Sequence, residues 1–167
     1  MTRSVPDLCD DFEDELEVLD PLFRDFGGRE SFAGEIVTVK CFEDNSLVKE
    51  TLAEPGGGRV LVVDGGGSLK CALLGDMLAT MAKDNGWSGV VVNGGVRDVE
   101  ITRDIDLGIR ALAACPVRSE KRGEGQRDAA VWFAGVHIHA GHFLYADANG
   151  IVIAERDLDG SDPKDAR

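Results

Sequence analysis

Residues 60–113 read VLVVDGGGSLKCALLGDMLATMAKDNGWSGVVVNGGVRDVEITRDIDLGIRALA, and this stretch decides the fold. It opens on Val60–Val63, a short apolar run suited to a strand covered on both faces. A glycine loop, DGGGS, follows. Met77, Leu78, Met81 and Ala82 then recur at helical spacing, and Asn85-Gly86 stops that helix. Val90–Val92 is a second buried strand, leading into the loop NGGVRD and a polar helix, VEITRDI. Ile109–Ala113 is a third strand. Strand, helix, strand, helix, strand is the alternation of a parallel, right-handed α/β unit.

Downstream the chain changes character. Val131–Ala134, Val136–His139, Phe143–Ala146 and Ile151–Ala154 are short β segments separated by glycine turns and by Asp147-Ala148-Asn149-Gly150. Upstream, Glu35–Cys41 alternates and is β-branched, which predicts a strand. Ser46 is expected to cap a short helix, LVKETLAE, that Pro55 and Gly56–Gly58 end. At the start, Pro6 marks a helix N-terminus, and Leu8, Phe12, Leu16 and Leu19 stand at helical spacing. The reading is one α/β domain over residues 1–156, with a parallel βαβ centre and a β-rich second half. Residues 157–167 are polar and aperiodic, which predicts a disordered tail.

A chain of 167 residues can build a core without staples. Its formal net charge of −13 repels nucleic-acid phosphate, so direct nucleic-acid binding is not expected. No apolar stretch is long enough to cross a bilayer, and the acidic start lacks a signal core. Cys9, Cys41, Cys71 and Cys115 form no CxxC pair. A cytoplasmic protein with reduced, mostly buried thiols is expected.

In parallel α/β units, ligands sit beyond the carboxyl ends of the strands. Two loops leave such ends, Asp64–Asp76 and Asn93–Asp98, and should face one crevice. The first has neither a GxxxxGK[ST] nor a GxGxxG pattern, so it is a poor nucleotide cradle. A helix starting at Gly75-Asp76 would present the amides of Gly75, Asp76, Met77 and Leu78 to an anion. The plainer alternative is a glycine turn in which Asp76 only caps the helix. In the second loop, Arg97 offers a fork that fits a carboxylate, and Asp98 is a hard oxygen ligand suited to Mg²⁺ or Mn²⁺. The plainer alternative there is pairing with other surface charges.

Asp76 and Arg97-Asp98 together make a D-x20-R-D pattern. With PLFRDFGGRESFAGEIVTVKCFEDN, GRVLVVDGGGSLKCALLGD, GVVVNGGVRD and HFLYADANGIVI, the chain resembles the RraA-like family from about Val5 to Glu155. That family includes the regulator of ribonuclease E activity and metal-dependent 4-hydroxy-4-methyl-2-oxoglutarate aldolases. The resemblance implies a three-layer β/β/α swivelling-domain-like fold. It implies that Gly75 to Leu78 hold a pyruvyl group by backbone donors and that Arg97 binds it by side chain. Asp98 would be the metal ligand, with waters completing the shell, and Asp76 would orient one of those waters. It further implies a homotrimer, or a hexamer of paired trimers, with clefts between subunits. The chemistry would be a class II lyase reaction on a small 2-oxo acid. Aldol cleavage, or decarboxylation of oxaloacetate, leaves a pyruvate enolate that Mg²⁺ or Mn²⁺ stabilises. The alternative is a regulator that binds and inhibits ribonuclease E without catalysis. In that regulator a glutamine follows the loop arginine, whereas Asp98 stands here.

The HIHAGH stretch places His137 and His139 on one strand face, which could suit zinc, but no Cys or carboxylate stands at ligand spacing beside them. Trp87 and Trp132 are expected as core or interface anchors, and the cysteines as buried small hydrophobes.

Overall fold

The computed structural model describes residues 1–160. In chain order it contains α1 (Val5–Asp11), a 3₁₀ turn (Glu13–Glu15), β1 (Leu16–Val18), β2 (Arg24–Asp25), β3 (Phe32–Lys40), α2 (Ser46–Leu52), β4 (Val60–Asp64) and β5 (Ala72–Leu74). There follow α3 (Asp76–Asp84), β6 (Gly89–Val96), α4 (Val99–Thr102), β7 (Gly108–Ala114), β8 (Gln126–Arg127), β9 (Val131–Phe133), β10 (Val136–Ile138), β11 (Phe143–Asp147) and β12 (Gly150–Ala154).

The main sheet runs β1-β12-β11-β3-β4-β6-β7-β2, with β5 added on β6 and β8 on β3. Its centre, β3-β4-β6-β7, is parallel, and its flanks are antiparallel. The run Val60–Val63 shows why. Leu61 and Val63 face a cluster with Val48 and Leu52 of α2 and Ala79 and Ala82 of α3. Val60 and Val62 face the opposite cluster, with Val131, Phe133, Val136 and Ile138 of the β9–β10 hairpin. Alternate side chains of a strand point to opposite faces, so a strand covered on both must be apolar throughout. Helices, sheet and hairpin form three layers, as the resemblance implied.

Several local expectations are corrected. The first helix stops at Phe12, and Leu16 pairs with Ala154 as part of β1. Ser4 caps its start by accepting from the Asp7 amide at 3.2 Å. Its last turn carries acidic and no basic residues, which opposes the helix dipole, while sheet pairing claims the residues beyond. Ser46 is not a cap but the first residue of α2, and its amide and hydroxyl both donate to Asp44 Oδ1, at 2.9 and 2.6 Å. The expected loop Asn93–Asp98 is strand as far as Val96, with a register shift between Val92 and Gly95. The loop before it contains β5, which pairs Ala72 with Gly95 and Leu74 with Val96. The tail prediction fails at its beginning. Leu158 is fully buried beside Val5, Leu8 and Phe12, and its amide donates to Tyr145 Oη at 2.7 Å. The rest of that segment, residues 161–167, lies outside the described residues.

Phe32 explains two glycines. A Cβ on Gly108 would stand 2.0 Å from the Phe32 ring, and one on Gly89 2.4 Å. The ring therefore lies directly on the backbone at the starts of β6 and β7. Gly108→Ala is expected to destabilise the chain by about 3 kcal/mol, the upper range for overpacking. A urea denaturation midpoint equal to wild type would contradict this.

Candidate functional site

The carboxyl ends of β4, β5 and β6 bring the two predicted loops together. Asp64, buried at the end of β4, accepts from Gly66 N at 2.9 Å and from Asn93 Nδ2 at 3.0 Å. The amides of Gly65 and Gly67 both donate to the Asn93 carbonyl at 3.1 Å. Gly66 and Gly67 have φ of 66° and 75°, which glycine adopts without strain, so the loop folds back over β6. Ser68 Oγ donates to Glu43 Oε1 at 2.7 Å and anchors its far side. Asp64 and Asn93 hold this loop by mutual bonds that sequence spacing did not reveal.

Leu74 ends β5, and its carbonyl accepts from Arg97 N at 2.9 Å. This bond sets the last residues of β6 beside the start of α3. Gly75 caps α3, and the first bond of the helix runs from Ala79 N to Gly75 O at 3.0 Å. The amides of residues 76–78 therefore precede the ladder. The Asp76 amide donates to Asp98 Oδ2 at 3.3 Å, so this donor, expected to face a substrate, is engaged by the neighbouring loop. Arg97 Nε lies 3.8 Å from the same oxygen. The side chains of Arg97 and Asp98 remain 41% and 34% exposed, enough to meet a ligand. Asp98 itself has φ 57° and ψ 37°, a left-handed conformation that Asp tolerates better than most residues. Gly75 admits this approach because a Cβ there would stand 2.7 Å from Asp98 Oδ2. Met77 is 81% exposed at the lip of the site, whereas Leu78 is buried against the core. Gly75, Asp76, Arg97 and Asp98 thus lie together, while the Leu78 side chain belongs to packing.

Asp98 is a hard carboxylate with Oδ1 left uncommitted by the Asp76 amide, which fits a hard dication. Among the described residues, no three His, Cys, Asp or Glu side chains gather to hold a metal. A metal there would take a single carboxylate from the described residues, which is compatible with Mg²⁺, an ion that keeps several waters. Two cavities of about 520 and 500 Å³ lie elsewhere, and neither is lined by Gly75, Asp76, Arg97 or Asp98.

Asp44 supports the same end of the sheet. It is fully buried. Burial pushes its carboxyl up, but bonds from the Ser46 hydroxyl and the Ser46, Glu124 and Arg122 amides outweigh that and hold it down at about 2. Its folded pKa is below the unfolded value of about 3.9, so its stabilisation is present above pH 4 and is lost as pH falls through 2. Asp44→Asn is expected to cost about 1–3 kcal/mol at pH 7, with the gap to wild type narrowing between pH 4 and 2. Urea titrations across that range check this; a pH-independent gap contradicts it.

Cys41, Cys71 and Cys115 are buried as expected, and Cys9 is half-buried. Burial, then the Asp44 and Asp64 carboxylates, push the Cys41 thiol up to about 12, against any role as a nucleophile. Trp87 is core, but Trp132 is 60% exposed. His137 and His139 both point outward, yet their ring neighbours differ: Trp132 for His137 and His142 for His139. No helix is long and apolar enough to cross a membrane among the described residues.

Layer order and strand-end loops define an α/β protein, with the candidate site around Arg97 and Asp98 at the carboxyl edge of its parallel strands. The RraA-like family model, described as Aldolase/RraA, matches residues 5–153, and the chain belongs to that family. A relative from Alkalilimnicola ehrlichii named "Putative 4-hydroxy-4-methyl-2-oxoglutarate aldolase" is 61% identical over 93% of this chain and 98% of its own length. The crystal structure titled S-adenosylmethionine: 2-dimethylmenaquinone methyltransferase, from Geobacillus kaustophilus, superposes with a TM-score of 0.93. It is 45% identical, over 96% of this chain and 99% of that one. The RNA-processing inhibitor RraA from Thermus thermophilis superposes with a TM-score of 0.92 at 46% identity, over 96% and 97%. One fold carries three names, so function must be argued from the site.

Proposed function

We propose that the protein is a cytoplasmic, divalent-metal-dependent aldolase that cleaves 4-hydroxy-4-methyl-2-oxoglutarate-type acids to pyruvate and also decarboxylates oxaloacetate. The observation that carries this reading is the seating of Asp98 against the side-chain-free Gly75, with Arg97 beside it. Arg97 grips the substrate carboxylate through its exposed fork. The amides of Met77 and Leu78, at the open end of α3, hold the oxygens of the pyruvyl group. Asp98 holds Mg²⁺ or Mn²⁺, which supplies Lewis-acid stabilisation of the charge developing on the 2-oxo oxygen. Asp76 takes the 4-hydroxyl proton through a water beside Arg97. The carbon–carbon bond breaks, its electron pair passes to the pyruvyl carbon as an enolate, and protonation yields pyruvate.

The site is open on the single chain, and Met77, next to Asp76, and Ile101, whose amide donates to the Asp98 carbonyl, are both exposed. Exposed apolar residues beside an open site support a homotrimer, or a hexamer of two, whose neighbouring subunit closes the cleft. The assay is pyruvate release from 4-hydroxy-4-methyl-2-oxoglutarate and oxaloacetate, with Mg²⁺ or Mn²⁺ and with a chelator. Turnover above the metal-only background, abolished by chelation, is expected; its absence with every 2-oxo acid sinks the reading.

The likeness to the Thermus RNA-processing inhibitor favours a second reading, in which the surface binds and inhibits ribonuclease E. Titration into a ribonuclease E cleavage assay separates the two, because inhibition without pyruvate release supports only the second.

A further inference from the structure

The larger cavity, about 520 Å³, is lined by His137, His139, His142, Asp14, Glu17 and Glu155, together with a Glu15–Arg156 pair. It lies between β1, the end of β12 and the turn after β10, and shares no residue with the Gly75–Asp98 site. His139 and His142 belong to one tight turn. Its backbone is fixed to β3 by Ile36 N to His142 O at 2.7 Å and Gly141 N to Ile36 O at 2.9 Å. His142 N also donates to His139 O at 3.2 Å, which closes the turn on itself. The two imidazole centres stand 5.0 Å apart, tilted by 46°.

That separation fits two imidazoles on one shared ion. With a metal–nitrogen distance of about 2.1 Å, each ring centre lies about 3.2 Å from the ion. Two such rings are then about 5.2 Å apart at a tetrahedral angle and about 4.5 Å apart at an octahedral one. Neither imidazole is held by a hydrogen bond among the described residues. Asp14, Glu17 and Glu155 make the cavity negative, which rules against an anion and favours a cation. Imidazole nitrogen selects Zn²⁺, Ni²⁺ or Cu²⁺ over Mg²⁺, which prefers an all-oxygen shell.

We propose that His139 and His142 form a second metal site, selective for borderline dications and distinct from the site at Asp98. The two imidazoles are its core, since no third His, Cys, Asp or Glu converges with them among the described residues. Water takes the remaining positions. The site does not depend on the reading at Asp98, and its test keeps the two apart.

Untagged protein is titrated with Ni²⁺ by calorimetry in excess Mg²⁺, which occupies oxygen sites, and Cu²⁺-loaded protein is examined by electron paramagnetic resonance. About one Ni²⁺ per chain is expected, retained in Asp98→Asn and weakened at least 10-fold in His139→Gln/His142→Gln. The Cu²⁺ spectrum is expected to show coupling to two imidazole nitrogens, falling to one in His142→Gln, which keeps the test usable if the double variant misfolds. Failure to bind Ni²⁺, equal binding by the double variant, or displacement by Mg²⁺ each overturns the proposal.

Discussion

Asp98→Asn is expected to lower metal-dependent pyruvate release by on the order of 100-fold or more while leaving the fold intact. Losing the carboxylate charge removes the ligand that the proposed function gives to the metal, and Lewis-acid stabilisation is worth several kcal/mol of barrier. Asparagine is chosen over alanine for a structural reason. The residue sits at φ 57°, which Asn tolerates, and its amide oxygen can still accept from the Asp76 amide as Asp98 Oδ2 does at 3.3 Å. The side chain is one-third exposed and packs in no core cluster, so the melting temperature should move by no more than a few degrees. Steady-state kinetics against metal concentration, with a thermal melt beside them, check both halves. Wild-type kcat/KM in a folded variant would remove Asp98 from the mechanism.

Gly75→Ala carries the second large effect, and it tests geometry rather than chemistry. At φ −137° and ψ −167° the backbone there is extended, which any residue adopts, so the substitution brings no dihedral strain. Its consequence is steric. The new methyl would stand 2.7 Å from Asp98 Oδ2 and 3.3 Å from Arg97 Cγ. The short Asp98 side chain must turn away, and misplacing a catalytic group by about 1 Å costs on the order of 100-fold in rate. Stability should fall by about 1 kcal/mol, the usual cost of alanine at a helix N-cap. Gly67→Ala provides the opposite case. Nothing lies within 4 Å of a Cβ there, but φ is +75°, so it should lower stability by about 1 kcal/mol with activity nearly unchanged. If Gly75→Ala turns over like wild type, contact between Gly75 and the Asp98 carboxylate is not what shapes the site.

The parallel centre was legible because its signals are local. Val60–Val63 and Val90–Val92 are apolar without alternation, which only a strand covered on both faces requires. Arg97 and Asp98 stood out as candidates, since few residue types can grip a carboxylate or a hard dication. What escaped was hidden by glycine and by long-range pairing. Asn93–Val96 reads as a loop because glycine is poor in strands, yet it continues β6, supported by β5 on one side and β7 on the other. Leu16 keeps helical phase with Phe12 but pairs with Ala154, a partner far along the chain that no local periodicity can announce. Leu158 was lost in a polar segment, although α1 and Tyr145 cover it.

The same division holds at the site named first by its spacing, Gly75 to Asp98. The sequence by itself determined which functional groups the chain possesses there: an arginine fork, a carboxylate after it, and a glycine before a helix. The tertiary structure alone decided that Asp98 lies against Gly75, with one oxygen given to the Asp76 amide. Residue type specifies what a group can bind. Only the pairing of β5 with β6 brings groups twenty residues apart into reach of one another.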